Sequence, residues 1–253
     1  MNGIVFYPAG TSPAITYALQ RLEDLGCNVT NTPDETVTHL LLPVPSFDAD
    51  GKLRGGGELH QILSKLPKTA TVIGGNLKHP LLEDRPILDL LQDARYLAEN
   101  AAITADCAVQ IARNNLSVVL KDCPVLVLGW GRIGKCLAQM LKVAGAEVTV
   151  AARKETDIAM LQALGYRAEW LDKLCYSLMR YRVVFNTAPA SVLSEEQVKH
   201  CREDCVKIDL ASSTGIAGNN VIWARGLPGK DAPESSGLLI AKTVIRLTSG
   251  REF

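Results

Sequence analysis

Val125-Leu126-Val127-Leu128-Gly129-Trp130-Gly131-Arg132-Ile133-Gly134 decides how this chain is read. Four apolar residues in a row suit a strand covered on both faces, and the three glycines behind them fit G-x-G-x-x-G. Alone that pattern is weak. Here it leaves a predicted strand, opens a helix predicted over Ile133–Val143 and closed by Gly145, and is followed by a second strand at Val148–Ala151. In that context Gly129 permits a tight turn, Gly131 lets backbone approach a pyrophosphate, and Gly134 lets the helix pack on the strand. Free N–H groups at the helix start, with the positive end of its dipole, would hold the diphosphate. Arg132 and Ile133 complete the expected binding turn. Trp130 is expected either to pack over the cofactor or to form part of the rim.

The second strand runs out into Ala152-Arg153-Lys154, and the first acid is Glu155. A site built for NAD carries a carboxylate here to accept from the ribose 2′-hydroxyl. A guanidinium would instead pair with a 2′-phosphate through two N–H groups. Arg153 and Lys154 therefore point to NADP over NAD. Two further strand ends should reach the same sheet edge, where the nicotinamide half would lie: Asn186-Thr187-Ala188-Pro189 and Asp209-Leu210-Ala211-Ser212. Asn186, Thr187 and Ser212 can hydrogen-bond ribose or carboxamide, and Asp209 can orient a neighbour or act as a base. Each is equally open to a local turn-capping role.

Outward from this centre, strands and helices alternate along the whole chain. Before it come strands at Ile4–Tyr7, near Val29, at His39–Leu42 and at Thr71–Ile73, with helices at Pro13–Leu25 and Glu58–Leu66. Helices are predicted over Pro86–Leu97 and Ala98–Leu116. Beyond the centre come Ile158–Leu164, Val183–Phe185, Glu195–Cys201, Val206–Leu210 and Val221–Ala224, then a rigid Gly226–Lys230 loop and a final helix at Ser235–Thr248. This is a two-domain α/β chain: a flavodoxin-like parallel sheet over 1–97, and a Rossmann NADP-binding domain over 98–253. The last helix is expected to be able to pack back on the first domain.

Twenty-seven Lys and Arg balance 27 Asp and Glu, so no basic excess exists to hold a nucleic-acid backbone. With 47% hydrophobic residues the chain has a core to bury, yet its apolar runs are far short of a membrane span. Without a basic, apolar leader it is expected to be a soluble intracellular protein, and a homo-oligomer. The seven cysteines are irregularly spaced, so neither a disulfide framework nor a metal ribbon is expected. His200, Cys201 and Cys205 form the one cluster, and the reading favoured is of ordinary residues at a helix end.

Gly129–Gly134 with Lys135, Ala152-Arg153, Asn186–Pro189, Asp209–Ser212, and above all Gly226-Leu227-Pro228-Gly229 with Ala232-Pro233 and Gly237, resemble the A-type polypeptide of dipicolinate synthase. The likeness is dense from about residue 96 onward. Before that, mainly the element order, Leu42-Pro43-Val44 and Gly74-Gly75 match. The family's Glu-Gly pair reads Asp106-Cys107 here. The resemblance implies oxidation of a dihydrodipicolinate to dipicolinate (pyridine-2,6-dicarboxylate) with hydride transfer to NADP+, on a branch of the lysine pathway. It further implies a partner, the flavoprotein-like B-type polypeptide of dipicolinate synthase, and the cytoplasm of the mother cell of a sporulating bacterium.

A dicarboxylate asks for cationic or backbone donors in a cleft between the halves, one that closure would order on binding. Candidates are the backbone of Pro8–Ser12, Arg54, Lys78, His79, Arg225 and Lys230. His79 is the expected proton acceptor, because imidazole titrates near neutrality. Two readings compete: another NAD(P) dehydrogenase of a small hydroxy acid, of the 2-hydroxyacid or quinate/shikimate type, and a cofactor-binding polypeptide without catalysis.

Overall fold

A computed structural model describes residues 3–174 and 177–250. The chain divides into two units, Met1–Asn100 with Pro228–Phe253, and Ala101–Leu227. The final helix thus groups with the first unit, which takes it out of the 98–253 stretch that the sequence groups together.

The first unit carries β1 (Val5–Pro8), α1 (Pro13–Asp24), β2 (Asn28–Val29), β3 (His39–Leu41), α2 (Leu59–Lys65), β4 (Thr71–Gly74) and β5 (Ile87–Asp89). Its sheet is wholly parallel in the order β2-β1-β3-β4-β5, the flavodoxin-like order 2-1-3-4-5. α1 begins where its sequence says it should: Ser12 Oγ accepts from the Ile15 N–H at 3.3 Å, and Pro13 follows at the first helical position.

β5 lies where a helix is predicted over Pro86–Leu97. The spacing of Ile87, Leu88, Leu90 and Leu91 imitates a helical stripe. However, Ile87 and Leu88 pair with Val72 and Ile73, and the Asp89 carboxylate accepts from the amides of Asn76, Leu77 and Leu91 at 2.9–3.1 Å. Those bonds exist only in the extended form. A single helix, α3 (Ala94–Asn115), then replaces the two expected.

The second unit carries β6 (Pro124–Leu128), α4 (Arg132–Val143), β7 (Glu147–Ala152), α5 (Glu155–Ala163), β8 (Arg167–Trp170), β9 (Val183–Asn186), α6 (Glu195–Val198), β10 (Val206–Asp209) and β11 (Val221–Trp223). The order β11-β10-β9-β6-β7-β8 is the doubly wound dinucleotide-binding arrangement, and every pairing is parallel. Val125–Leu128 and Val183–Asn186 are fully buried, as central strands covered on both faces must be. The chain crosses from one side of β6 to the other between β8 and β9, so the crevice at the carboxyl ends of β6 and β9 is the switch point where such sheets take ligands.

A short helix, α7 (Leu227–Asp231), occupies the expected loop, and α8 (Pro233–Ser249) ends the described chain. Within the first unit α8 packs tightly on α1. A Cβ on Gly237 would fall 2.5 Å from the Ala14 carbonyl oxygen and 2.6 Å from Tyr17 Cβ, so glycine is what allows this approach. Arg246 pairs with Asp93 and Lys242 with Glu99, each at 2.7 Å, which ties α8 to the start of α3. Among the described residues no helix is long and apolar enough to cross a membrane, and no group of three or more His, Cys, Asp or Glu could hold a metal ion.

Candidate dinucleotide site

The turn between β6 and α4 is set by its glycines. Gly129 sits at φ 106°, and its N–H donates to the Ala151 carbonyl at 2.9 Å, which fastens the turn to β7. A Cβ there would lie 2.7 Å from Thr187 Oγ1, and one on Gly134 only 2.3 Å from the Gly129 carbonyl oxygen. Both positions need glycine because atoms already fill the space. Gly131 is different. It forms the N-cap of α4 without a side-chain cap, and a Cβ there would meet nothing within 4 Å.

The first amides of α4 are thus left without a side-chain acceptor, beside space that glycine keeps clear. Backbone donors, the positive end of a 12-residue helix and room for close approach fit a diphosphate. Arg132 is exposed at the first helical position, while Ile133 is half-buried.

Trp130 packs against side chains of its own unit. Its ring meets Tyr166 edge-on at 5.7 Å and Lys135 Nζ at 5.8 Å, and Tyr166 OH donates to Gln139 Oε1 at 3.0 Å. The indole therefore packs beside Lys135 of α4 and Tyr166.

Ala152 is buried at the end of β7, and Arg153 and Lys154 follow it exposed. Glu155 is already in the first turn of α5. The strand that follows the glycine turn therefore delivers a guanidinium where an NAD site delivers a carboxylate.

Asn186 and Asp209, expected to meet the cofactor or to act as a base, brace the loops around them. Both are fully buried. Asp209 Oδ1 accepts from Asn186 Nδ2 and the Ala211 amide, each at 3.0 Å, while Oδ2 accepts from the amides of Gly215 and Ile216 at 2.6 and 3.0 Å. Asn186 Nδ2 also donates to the Ala188 carbonyl, and its Oδ1 accepts from the Ala188 amide at 2.9 Å. Four donors fill the carboxylate, and both N–H groups of the Asn186 amide are spent within the protein.

Their bonds hold the two loops at the carboxyl ends of β9 and β10 in place. Thr187 joins this frame: its N–H and its hydroxyl both donate to the Leu128 carbonyl, at 2.9 and 3.0 Å. Ala188 is half-buried, and Pro189 and Ser212 are exposed on these loops. Gly215 and Trp223 complete the frame, and sequence reasoning misses both. The Gly215 carbonyl accepts from Val192 and Leu193, and the Trp223 indole donates to the Ala211 carbonyl at 3.1 Å. No local pattern marks these contacts, whose partners lie 12 to 23 residues apart.

In the first unit, Pro8, Gly10, Thr11, Ser12, Gly55 and Gly56 line a cleft of about 400 Å³ at the carboxyl end of β1. Arg54 is exposed but spends its Nε on the Phe47 carbonyl at 2.9 Å. His79, the expected proton acceptor, has both ring nitrogens engaged. Nδ1 accepts from the Leu81 amide and Nε2 meets the Gly51 carbonyl, each at 3.2 Å, and the ring stacks on Phe47 at 4.5 Å. It caps the turn Pro80–Leu82, so both ring nitrogens face backbone groups of the first unit. Lys78, Arg225 and Lys230 are not buried, and Arg225 lies over the Trp223 ring at 5.0 Å.

The family described as shikimate/quinate 5-dehydrogenase matches residues 110–218, most of the second unit. The A-type polypeptide of dipicolinate synthase from Bacillus subtilis is 24% identical over 240 residues, covering 87% of this chain and 81% of that protein. The crystal structure of its counterpart from Bacillus halodurans superposes with a TM-score of 0.86 at 22% identity, covering 98% of each chain. A transhydrogenase structure from Sinorhizobium meliloti shares the architecture with a TM-score of 0.74 at 16% identity, covering 96% of this chain and 92% of that one. With both sheets matched and the sequence aligned over most of its length, the chain shares the fold of the A-type dipicolinate synthase polypeptides and is similar to them in sequence.

Proposed function

We propose that this chain is an NADP-dependent oxidoreductase that converts a dihydrodipicolinate to dipicolinate. The observation that carries the reading is the glycine turn at Gly129–Gly134, clear at Gly131 and followed by an acid-free Ala152-Arg153. When bound, the nicotinamide supplies the hydride acceptor. The substrate ring loses one hydride and one proton and becomes aromatic, so much of the driving force lies in the product. The protein's task is then to bind and orient.

The amides at the start of α4 hold the diphosphate, and Arg153 pairs with the 2′-phosphate, with Lys154 beside it. The loops Thr187–Pro189 and Ala211–Ser212, held rigid by Asn186 and Asp209, border the far end of the crevice. Ser212, exposed there, is the hydroxyl best placed to meet ribose or carboxamide. Carboxylates are taken by backbone donors around Pro8–Ser12 and by Arg54. The proton goes to solvent rather than to His79. A second polypeptide, as the lettered naming of the relatives implies, works alongside this one.

The match to shikimate/quinate dehydrogenases favours one other reading, oxidation of a hydroxyl on a cyclic carboxylic acid. One assay separates the two: absorbance at 340 nm with NADP+ and either freshly generated dihydrodipicolinate or quinate and shikimate. Turnover with the dihydropyridine alone supports the proposal. Turnover with the hydroxy acids alone overturns it. Binding without turnover of either, even with the flavoprotein-like partner present, leaves a cofactor-binding polypeptide.

A further inference from the structure

Cys201 packs against the buried cluster that contains Cys205, where the two thiols interact, and Cys205 Sγ lies 3.9 Å from the Val206 carbonyl oxygen. The pair lies between α6 and β10. Cys201 is partly exposed, while Cys205 is 5% exposed within the core under this face of the sheet. Lys207 lies two residues further on, only 7% exposed, with its ammonium donating to the Cys205 carbonyl at 3.1 Å. A lysine this buried, bonded to one carbonyl, puts an ammonium charge beside two thiols. The intervening loop is itself braced: Asp204 pairs with Arg182 and with Arg202.

We propose that Cys201 and Cys205 are a peroxide-reactive dithiol that closes to a reversible disulfide. Cys201 is the attacking sulfur, because it is the partly exposed one. The interaction with Cys205 and the Lys207 charge lower its thiol, against the opposing effect of burial. The Cys205 thiol is raised, first by its interaction with Cys201 and then by burial, so it stays protonated and waits as the resolving group. The thiolate attacks one peroxide oxygen and the O–O bond breaks, giving a sulfenic acid and hydroxide, which takes up a proton to become water. Cys205 then attacks the sulfenic sulfur, its proton leaves with the hydroxyl as a second water, and the S–S bond forms. Two electrons leave the thiols and reduce one peroxide to two waters. Packing of both side chains into one cluster, four residues apart along the chain, supplies the proximity a bridge needs.

The test treats the full chain with a few equivalents of hydrogen peroxide, blocks remaining thiols with N-ethylmaleimide, denatures without reductant and digests with trypsin. Cleavage after Arg202 separates the two cysteines, so a bridge appears as His200–Arg202 linked to Glu203–Lys207. The linked pair, about 2 Da lighter than the two free peptides because two thiol hydrogens are lost, and released by dithiothreitol, is expected. With Cys205→Ser, a dimedone adduct at Cys201 should replace it. With Cys201→Ser, peroxide should leave Cys205 unmodified. Lys207→Met, checked for folding by circular dichroism, should slow alkylation of Cys201 severalfold near neutral pH. Absence of the linked peptide, or oxidation of Cys201 to sulfinic acid without it, overturns the proposal. So does a Cys201 that alkylates no faster than Cys136, the other partly exposed thiol among the described residues.

Discussion

Gly131→Ala and Gly134→Ala separate binding from folding at the same turn. At Gly131 the backbone is extended at φ −79° and ψ −168°, which alanine adopts freely, and a methyl would touch nothing within 4 Å. Alanine is a poorer N-cap than glycine but restricts the unfolded chain, so the two effects offset to within about 1 kcal/mol. The melting temperature should then move by no more than about 4 °C in a chain of this size. Yet the methyl occupies the clear space in front of the first α4 amides. Losing one charge-assisted amide bond to a phosphate costs about 1.5–3 kcal/mol, which is roughly a 10- to 150-fold weaker NADPH dissociation constant.

At Gly134 the methyl would fall 2.3 Å from a backbone oxygen that cannot step aside, so α4 must be pushed off β6. Overpacking of that kind costs about 2–3 kcal/mol and lowers the melting temperature by about 5–10 °C. Thermal scans beside calorimetric titration with NADPH read both quantities. A Gly131→Ala chain that binds NADPH as tightly as wild type refutes the assignment of these amides. One that melts about 10 °C lower, as is expected of Gly134→Ala, refutes the reading of the space as open.

Three further outcomes follow from the same geometry. Asp209→Ala strands three amides and the Asn186 side chain and should cost about 3 kcal/mol or more by urea unfolding, with Asp209→Asn costing less; an Asn variant of wild-type stability that has lost turnover would show a base after all. In acid, α8 should loosen before the rest: burial raises the Asp93 carboxyl, but the Arg246 bond and the Tyr96 amide outweigh it, and Lys242 holds Glu99 low. Folded values below the unfolded ones mean that this stabilisation is complete above about pH 4.5 and is lost as pH falls through the folded values. Unfolding measured from about pH 6 to about pH 3 in wild type and Arg246→Met should converge at the acid end, and parallel curves would contradict it. Gly237→Ala forces α1 and α8 apart at the Ala14 carbonyl and should cost about 1–3 kcal/mol, read as a lower melting temperature.

How much is legible in the sequence follows from how each feature is encoded. Val125–Leu128 is buried on both faces, so it writes itself as an unbroken apolar run, and the glycines behind it fix their turn locally. β8 is silent because Arg167-Ala168-Glu169-Trp170 is an edge strand with little apolar signal. β5 hides behind a spacing that suits a helix equally well, and only its pairing with β4 decides between them. Asn186 and Asp209 stand out as polar residues at strand ends, but their role is not visible there. Whether a buried carboxylate serves a ligand or four protein donors depends on Gly215 and Ile216, and the fold alone brings these to it. For His79 the deciding partner, Gly51, lies 28 residues away.

The most direct measurement is calorimetric titration of the purified chain with NADPH and NADH, in wild type and Arg153→Ala. The account expects saturable binding of NADPH at least about tenfold tighter than NADH, and a variant in which that preference disappears while NADH binding is unchanged. No saturable binding of either nucleotide, or an equal loss for both in the variant, would contradict it.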